Sequence, residues 1–419
     1  MAGTIIITGF FLPVVTAADR FLPARSVLVI EEPDVCAQRG AAGQLANSVS
    51  VRELVEWEYQ VPGAADSFYH RYHDAPVIAV IPATEYSVPF AARLAERFGV
   101  PGATLGAAEI LRDKSLLRVV SAAAGITNPA SMAVQDPEGV RQFAERYPGK
   151  LIIKPSNRQA AVGTWIINDV SEIDAAWAGA LDQDEGSHVP KRGLPTRMLV
   201  EQHIAGPEFS VEVLVQDGVC RFSNVTGKAL FPGPRPVEMG HVVPADVPAT
   251  LSDALVASTD RVVAAVGFQT GMLHCEWILG PGDTPFLVEC AGRMPGDWIV
   301  DLIEHAWPID IANRYFTVMR GDQPEPPPEH AASVAAVWFL DSVAGVVESV
   351  DGLDEARRVP DVIAVESFVA PGDVTYDMRS SWDRVAMAMA WAATHEDALE
   401  SAKTAISKIR VKVRPVQSA

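Results

Sequence analysis

Short apolar runs alternate with helix-periodic stretches over the first hundred residues of the chain. Two early runs predict buried strands, "TIIITGF" and "SVLVIEE". After a third run, the apolar residues Phe90, Leu94 and Phe98 recur at helical spacing up to Gly99, which predicts a helix that ends there. Residues 1–105 are therefore predicted to form an open parallel α/β sheet.

Two acids end the second predicted strand. Glu31 and Glu32 stand at its carboxyl end, where sheets of this kind bind ligands. A solvated strand end explains the same two residues, and the sequence leaves both interpretations open.

Between residues 106 and 322 the pattern changes to paired strands that lie between helices. Alternating apolar positions and turns predict hairpins in "GKLIIKPSNRQAAVGTWIIND", "EFSVEVLVQDGVCRFSNVTGKAL" and "GMLHCEWILGPGDTPFLVECAGR". The Asp-Gly pair of the second segment favours a tight turn. Mixed strands and helices of this kind predict an α+β region.

The proline-rich segment "QPEPPPEH", residues 323–330, is the most distinct boundary in the sequence. After it the pattern predicts strands in "AASVAAVWFL", "VIAVESFV" and "ISKIRVKVR", and helices at about 383–393 and 395–408. Residues 331–419 are therefore predicted to form a small α+β domain. The fold class predicted for the whole chain combines α/β and α+β parts.

Charge and cysteine content narrow the range of partners. The net charge is −19, whereas nucleic acids and anionic membranes bind broad basic faces, so neither is an expected partner. The four cysteines lack the spacing of zinc sites or disulfide frameworks, which favours a reducing cytoplasm. No Lys or Arg precedes Arg20, so we interpret the apolar N-terminus as a first buried strand rather than a signal peptide.

Two acids, Glu276 and Glu289, lie on the two strands of the third predicted hairpin. Side chains alternate along a strand, so Glu276 shares a face with His274 and Glu289 is expected to share one with Leu287. If the strands pair antiparallel, both carboxylates face the same side and repel each other unless a cation lies between them. Mg²⁺ takes such oxygen ligands. The structural alternative is that one acid pairs with Arg293 while the other is solvated.

Two lysines and two further acids could contact a nucleotide. Lys154 ends a predicted apolar strand, where its burial would require an anionic partner, and Lys114 lies in or at the start of a helix. Either lysine could instead pair with a core Glu. Glu201 and Glu208 flank a Gly-Pro turn between strands, where carboxylates can accept hydrogen bonds from an adenine amino group or from ribose hydroxyls. The motifs GxxxxGK[ST] and GxGxxG are absent, so P-loop and dinucleotide folds lose support.

The chain orders these pieces as Lys114, Lys154 with its loop, "VEQHIAGPEFSVEV", and then the acids of "CEW" and "VECAGR". This order resembles the ATP-grasp superfamily of carboxylate–amine ligases, over about residues 1–415. The segments "NVTGKAL", "VEMGHVVPA" and "ECAGRMPGD" are most similar to the L-amino acid ligases. The resemblance implies a domain before the ATP-grasp core at 1–105, and a core at 106–322 with a small lid subdomain at about 115–200 and a large subdomain at about 201–322.

The same resemblance implies ATP and Mg²⁺ as cofactors, with Mn²⁺ as an alternative ion. The residues that it implies for ATP binding are Lys114, Lys154, Ser156, Glu201, Gln202, Ile204 and Glu208. Glu276 and Glu289 would hold the metal.

Three residues are implied to be catalytic. Arg293 would stabilise an acyl phosphate and the tetrahedral intermediate with its guanidinium fork. His241 would bind that intermediate or act as a base for the amine, or is a surface loop histidine, and Lys228 carries similar alternatives. Asp297 would attract a cationic group on the acid substrate, or would cap the helix that begins near Trp298.

The expected activity is ATP-dependent ligation of an amino acid or related carboxylic acid to an amine, with release of ADP and phosphate. A carboxylase or formyl-type transferase is one alternative, and an ATP-binding protein without ligase activity is another. Ala291 stands where the resembled family often has Asn, and "SNRQAAVG" has one Gly where that family's phosphate-covering loop is rich in Gly and Ser. The expected partners are small molecules, and a homodimer is one expected assembly.

Overall fold

The computed structural model describes residues 3–182 and 185–415 and contains four sheets. The predictions that cover residues 1–2, 183–184 and 416–419 lie outside the described residues. Across the described ranges, no helix combines the length and the hydrophobicity that a bilayer-spanning helix requires.

The N-terminal region forms an open parallel sheet, as the sequence predicts. Its strands are Thr4–Thr8 (β1), Val27–Glu31 (β2), Val51–Glu56 (β3) and Val77–Pro82 (β4). Its helices are Leu12–Asp19 (α1), Pro33–Arg39 (α2), Ala41–Leu45 (α3), Ala64–Tyr72 (α4) and Val88–Phe98 (α5). The spatial order is β3-β2-β1-β4, with every pair parallel. The apolar pattern does not predict β3 because this edge strand, "VRELVE", is largely charged and partly exposed.

The two acids at the end of β2 are buried, so the solvated interpretation of Glu31 and Glu32 is wrong. The Glu31 carboxylate accepts a hydrogen bond from the backbone N–H of Phe10 at 2.6 Å. Glu32 accepts two hydrogen bonds from the guanidinium of Arg192, at 2.9 and 2.7 Å. Both acids therefore hold loops in place at this edge of the sheet.

The second region contains a four-stranded antiparallel sheet. Its helices are Leu105–Arg112 (α6), Lys114–Ala123 (α7), Pro137–Arg146 (α8) and Ile173–Leu181 (α9). Its strands are Ser131–Val134 (β5), Leu151–Pro155 (β6), Trp165–Ile167 (β7) and Met198–Gln202 (β8), in the order β5-β8-β6-β7. The predicted hairpin of β6 and β7 is confirmed by their antiparallel register.

The largest sheet has eight antiparallel strands and continues past the proline-rich linker. The strands from residue 208 onward are Glu208–Gln216 (β9), Val219–Leu230 (β10), Glu238–Val243 (β11), Gly271–Leu279 (β12), Pro285–Ala291 (β13), Val334–Leu340 (β14), Gly345–Asp351 (β15), Val362–Ser367 (β16), Val374–Thr375 (β17), Ala386–Ala392 (β18) and Arg410–Arg414 (β19). The helices are Ala249–Val266 (α10), Ile299–Ala306 (α11), Ile311–Met319 (α12), Leu353–Arg357 (α13) and His395–Lys408 (α14). The eight strands are ordered β13-β12-β9-β10-β11-β14-β18-β16, while β17-β15-β19 form a separate small sheet.

Two of the predicted hairpins supply one end of the large sheet. The β9–β10 hairpin turns at Asp217 and Gly218, whose left-handed φ angles of 55° and 74° suit the tight turn that this pair favours. The β12–β13 hairpin has the predicted antiparallel pairing. Strand β14, which follows the linker, pairs with β11, so the C-terminal region shares its main sheet with the preceding part of the chain.

The helix predicted at about 383–393 is wrong, because residues Ala386–Ala392 form the inner strand β18. Alanine and methionine are good helix formers, but here they alternate between two buried faces. Met387 and Met389 belong to the core that also contains α11 and α12, while Ala388 packs in the cluster on the side of α14. The helix predicted at 395–408 is confirmed as α14.

Candidate active site

A cleft of about 410 Å³ lies between the antiparallel sheet of β5–β8 and the large sheet. Its walls come from β6 and the loop after it, from β9–β13, and from the segments 293–299 and 381–384. The predicted site residues that line the cleft are Lys114, Lys154, Ile204, Glu208, Lys228, His241, Glu276, Glu289, Arg293 and Asp297. Ser156, Glu201 and Gln202 are not among its lining residues in the described chain.

Glu276 and Glu289 lie directly opposite each other in the register of β12 and β13. Both line the cleft, so the predicted pairing of the two carboxylates on one face agrees with the structure. The register shifts after this pair, and Leu287 instead pairs with Trp277 and packs in the core. The expectation that Glu289 shares a face with Leu287 is therefore wrong, because a bulge at Val288 reverses the alternation.

Lys228 is the cation between the acids on this side of the cleft. Its Nζ lies 2.6 Å from Glu276, 3.1 Å from Glu208 and 3.5 Å from Glu238. Burial alone would lower the pKa of Lys228, but the nearby carboxylates of Glu276 and Glu208 raise it well above its ordinary value. Burial raises the pKa of Glu208 to about 7, against the opposing effect of Lys228. Glu238 is a member of this cluster that sequence reasoning missed.

Lys114 and Lys154 are buried and paired with acids. Lys114, the first residue of α7, lies 3.0 Å from Glu289 and donates to the carbonyl of Arg158 at 2.8 Å. Lys154 on β6 lies 2.7 Å from Glu201. Burial lowers the pKa of Lys154. Both lysines also line the cleft, so each stands between a carboxylate partner and the space that a ligand would fill.

Glu201 directs its carboxylate to two buried cations. It accepts from Arg118 Nε at 2.6 Å and contacts Lys154 Nζ at 2.7 Å, and it is only 2% exposed. An adenine contact through this side chain would have to displace one of these partners. Gln202 donates its backbone N–H to the carbonyl of Ala130 and does not line the cleft, whereas Ile204 and its neighbours 203, 205 and 206 do.

Glu201→Gln is expected to destabilise the protein by about 3–5 kcal/mol, because it leaves two buried cations without their counterion. Burial alone would raise the pKa of Glu201, but Arg118 and Lys154 lower it to about 2. The stabilisation is therefore present above the ordinary carboxyl pKa of 4.5 and is lost as the pH falls towards 2. Thermal unfolding at neutral pH tests this against Glu145→Gln, an exposed acid on α8. Equal unfolding temperatures of the two variants would contradict it.

The loop after β6 takes left-handed backbone conformations at two positions that lack glycine. Ala160 and Ala161 adopt left-handed φ angles of 56° and 58°, in the region that favours glycine. The loop residues from 158 to 162 line the cleft. Ser156 precedes them and is fully buried.

Arg293 is held by an acid from the N-terminal sheet. Its Nε donates to Glu85 at 2.9 Å, and Glu85 also accepts from Arg112 at 3.0 Å. Glu85 is buried, yet these arginines lower its pKa against the opposing effect of burial. Sequence reasoning missed Glu85, although it follows the carboxyl end of β4, where parallel sheets bind ligands.

Asp297 does not cap the helix that follows it, so that interpretation is wrong. Helix α11 begins at Ile299, and its N-cap residue is Trp298, which makes no side-chain capping hydrogen bond within the described residues. The Asp297 carboxylate instead accepts from Arg384 at 2.8 and 2.6 Å and lies 3.1 Å from Nε2 of His241. Both of its oxygens are thus occupied by cationic or imidazole groups. His241 is 2% exposed, so it is not a surface loop histidine.

Two family models match the chain: an ATP-grasp domain over residues 147–301 and L-amino acid ligase C-terminal domain 2 over residues 337–414. Residues 147–301 form an ATP-grasp domain. These matches include the lysine, acid and arginine positions of the cleft from Lys154 to Asp297, and the segment that carries Arg384.

Solved ATP-grasp structures share the whole fold. The L-amino acid ligase from Bacillus licheniformis is similar with a TM-score of 0.82 and 18% identity, over 98% of this chain and 99% of that one. The biotin carboxylase domain of the Hydrogenobacter thermophilus 2-oxoglutarate carboxylase, in complex with MgADP, has a TM-score of 0.69 and 14% identity, over 99% and 91%.

Alanine–anticapsin ligase from Bacillus subtilis is 23% identical over 54% of this chain and 51% of its own length. The chain therefore spans about half the length of this curated ATP-grasp relative.

Proposed function

We propose that the protein is an ATP-dependent ligase that joins a carboxylic acid of the amino acid class to an amine through an acyl phosphate. The observation that carries this proposal is the pairing of Glu276 and Glu289 across the β12–β13 hairpin, where both line the cleft. Lys228 lies 2.6 Å from Glu276, and Lys114 lies 3.0 Å from Glu289. Such a cleft can hold a nucleoside triphosphate and its metal ion beside a reacting carboxylate. The named relatives that act as ligases support the same reaction class.

The acids of the cleft fit a hard divalent ion. Glu208, Glu238 and Glu276 bring oxygen atoms within 4.8 Å of one another, and Glu289 faces Glu276. We assign Mg²⁺, or Mn²⁺ in its place, to Glu276 and Glu289. The bound ion would neutralise charge on the ATP phosphates. Ala291 offers no side-chain oxygen, so water or phosphate would complete the ligand set.

The remaining residues take the roles that their positions allow. Lys114 and Lys154 would contact phosphate oxygens, with Ser156 supporting the loop after β6. Ile204 and the backbone that follows Gln202, at residues 203–206, would contact the adenine, and Glu208 the ribose. The lid sheet of β5–β8 would exclude water from the acyl phosphate.

Arg293 would stabilise the developing oxyanion, because Glu85 holds its guanidinium at the cleft with a contact of 2.9 Å. Lys228 would keep the acid cluster electrostatically balanced during the reaction. The cytoplasmic location, the homodimer and the domain boundaries at about 105 and 322 remain predictions.

A substrate screen tests the proposed function. Phosphate release from ATP is measured with Mg²⁺ for all pairs of the twenty amino acids, and for amino acids paired with polyamines or dicarboxylic acids. We expect release to rise at least about tenfold over ATP alone for some pairs, and only when acid and amine are both present. Bicarbonate-stimulated release without an amine would favour a carboxylase instead. Binding of ATP with no stimulated release by any pair would favour a protein without ligase activity.

A further inference from the structure

Arg384 comes from the segment beyond the proline-rich linker and reaches the wall of the cleft. Its Nη2 donates to Oδ1 of Asp297 at 2.6 Å, and its Nη1 donates to Oδ2 at 2.8 Å. This two-point contact fixes both the position and the rotation of the carboxylate. Arg384 is 7% exposed, so little solvent competes with the contact.

Three further contacts hold the Arg384 guanidinium still. Its Nε donates to the carbonyl of Ser381 at 2.8 Å, and its Nη1 donates to the carbonyl of Glu238 at 3.2 Å. The guanidinium carbon lies 3.8 Å from the ring centroid of Phe339. Arg384 is therefore anchored to its own loop, to β11 and to β14 before it contacts Asp297.

Asp297 in turn orients His241. Its Oδ2 lies 3.1 Å from Nε2 of His241. An ionised carboxylate only accepts hydrogen bonds, so in the neutral ring Nε2 carries the proton and Nδ1 holds the lone pair. Nδ1 is buried and has no hydrogen-bond partner among residues 3–182 and 185–415. Burial alone would raise the pKa of Asp297, but Arg384 and His241 lower it well below its ordinary value, so the acceptor stays ionised.

We propose that Arg384 is a positioning residue that acts through Asp297 and sets His241 so that Nδ1 accepts the proton of the attacking amine. The inference rests on the proposed function. In this step the amine nitrogen forms a bond to the acyl carbon and the bond from that carbon to the phosphate oxygen breaks. Phosphate leaves with the electron pair, and the proton of the amine passes to Nδ1.

This role differs from substrate binding by Asp297, which the sequence predicts. If Asp297 bound a cationic group of the substrate, Asp297→Asn would raise the Michaelis constant for that substrate at least about tenfold. If Asp297 orients His241, the same variant lowers kcat and leaves the Michaelis constants for acid and ATP within about twofold. The structure favours the second result because Arg384 already neutralises the carboxylate.

The test compares two nucleophiles in the presence of ATP and Mg²⁺. Each of the twenty amino acids is supplied as the acid, first with hydroxylamine and then with amino acids as the amine. Hydroxylamine is largely unprotonated at neutral pH, so its attack on an acyl phosphate needs little help from a base. The hydroxamate yield therefore reports activation of the acid, whereas amide formation reports activation and proton removal together.

Arg384→Met is expected to keep hydroxamate formation within about threefold of wild type while amide formation falls at least about thirtyfold. Arg384→Lys keeps the positive charge but loses the two-point guanidinium contact. Its rate of amide formation should lie between those of wild type and Arg384→Met. The matched control is Arg379→Gln in the same segment, because Arg379 pairs with Asp383 at 2.9 Å, is 44% exposed and does not line the cleft. This control should leave both reactions unchanged.

Three outcomes would overturn the positioning role of Arg384. An equal fall of hydroxamate and amide formation in Arg384→Met and Arg384→Lys would overturn the positioning role and leave Arg384 as a structural residue. The combined variant Arg384→Met with His241→Ala gives a further test of amide formation. Two residues that act through one another give a combined loss little larger than that of either single variant, so a combined loss equal to the two single losses multiplied together would also overturn the positioning role. If wild type forms no hydroxamate with any acid, the proposed function fails first, and this inference with it.

Discussion

Glu289→Gln is expected to lower turnover at least about hundredfold, which corresponds to a loss of about 3 kcal/mol of transition-state stabilisation. The substitution keeps the shape of the side chain and removes its charge. Glu289 faces Glu276 across the hairpin and lies 3.0 Å from Lys114, so its charge acts at the point where we place metal and phosphate. Phosphate release under saturating ATP measures the effect.

The control for this variant is Glu348→Gln. Glu348 is an exposed acid on β15 that does not line the cleft, so its loss of charge should leave turnover unchanged. Raising the Mg²⁺ concentration should recover part of the Glu289→Gln activity, because a weaker site fills at higher ion concentration. Wild-type turnover in Glu289→Gln at ordinary Mg²⁺ would remove the acid from the metal assignment.

Lys228→Met is expected to reduce turnover by about a thousandfold or more and also to lower the unfolding temperature. The Lys228 side chain is 1% exposed and its Nζ lies within 3.5 Å of three carboxylates, so its removal leaves Glu208, Glu238 and Glu276 repelling one another in a largely enclosed site. Breaking a buried ion pair on one side costs about 3–5 kcal/mol. Thermal unfolding and phosphate release measure the two effects.

A second substitution separates the structural part of this effect from the chemical part. Glu238→Gln removes one of the three negative charges, so Lys228→Met combined with Glu238→Gln should regain part of the lost unfolding temperature. Turnover should stay low in the combined variant, because the cation at the cleft is still missing. An unfolding temperature of Lys228→Met equal to that of wild type would contradict the balance of charges described for this cluster.

Local pattern was sufficient to predict most of the fold. The apolar runs of β1, β2 and β4 and the turn residues of the β9–β10 hairpin determine their own strands, so these elements were predicted correctly. Strand β18 was predicted as a helix, because its alanines and methionines take their conformation from the two layers that cover them. Edge strand β3 has little apolar pattern, because it buries little surface.

The candidate site was also only partly predictable from the sequence. The order of lysines and acids along the chain could be recognised, but the partners of those residues could not. Arg384 and Asp297 lie 87 residues apart in the sequence, and Glu85 and Arg293 lie 208 residues apart. No spacing rule predicts contacts between residues so far apart along the chain. Leu287 shows the limit at short range, since one bulged residue changed the face on which it lies.

The proposed acyl phosphate can be tested by following an oxygen atom of the acid substrate. The acid from the most active pair is labelled with ¹⁸O in its carboxylate and converted to amide with ATP and Mg²⁺, and the phosphate and nucleotide products are analysed by mass spectrometry. An acyl-phosphate mechanism predicts ADP and one labelled oxygen in each inorganic phosphate, because the carboxylate oxygen leaves with the phosphoryl group of the acyl phosphate. Unlabelled phosphate, or AMP carrying the label, would contradict it.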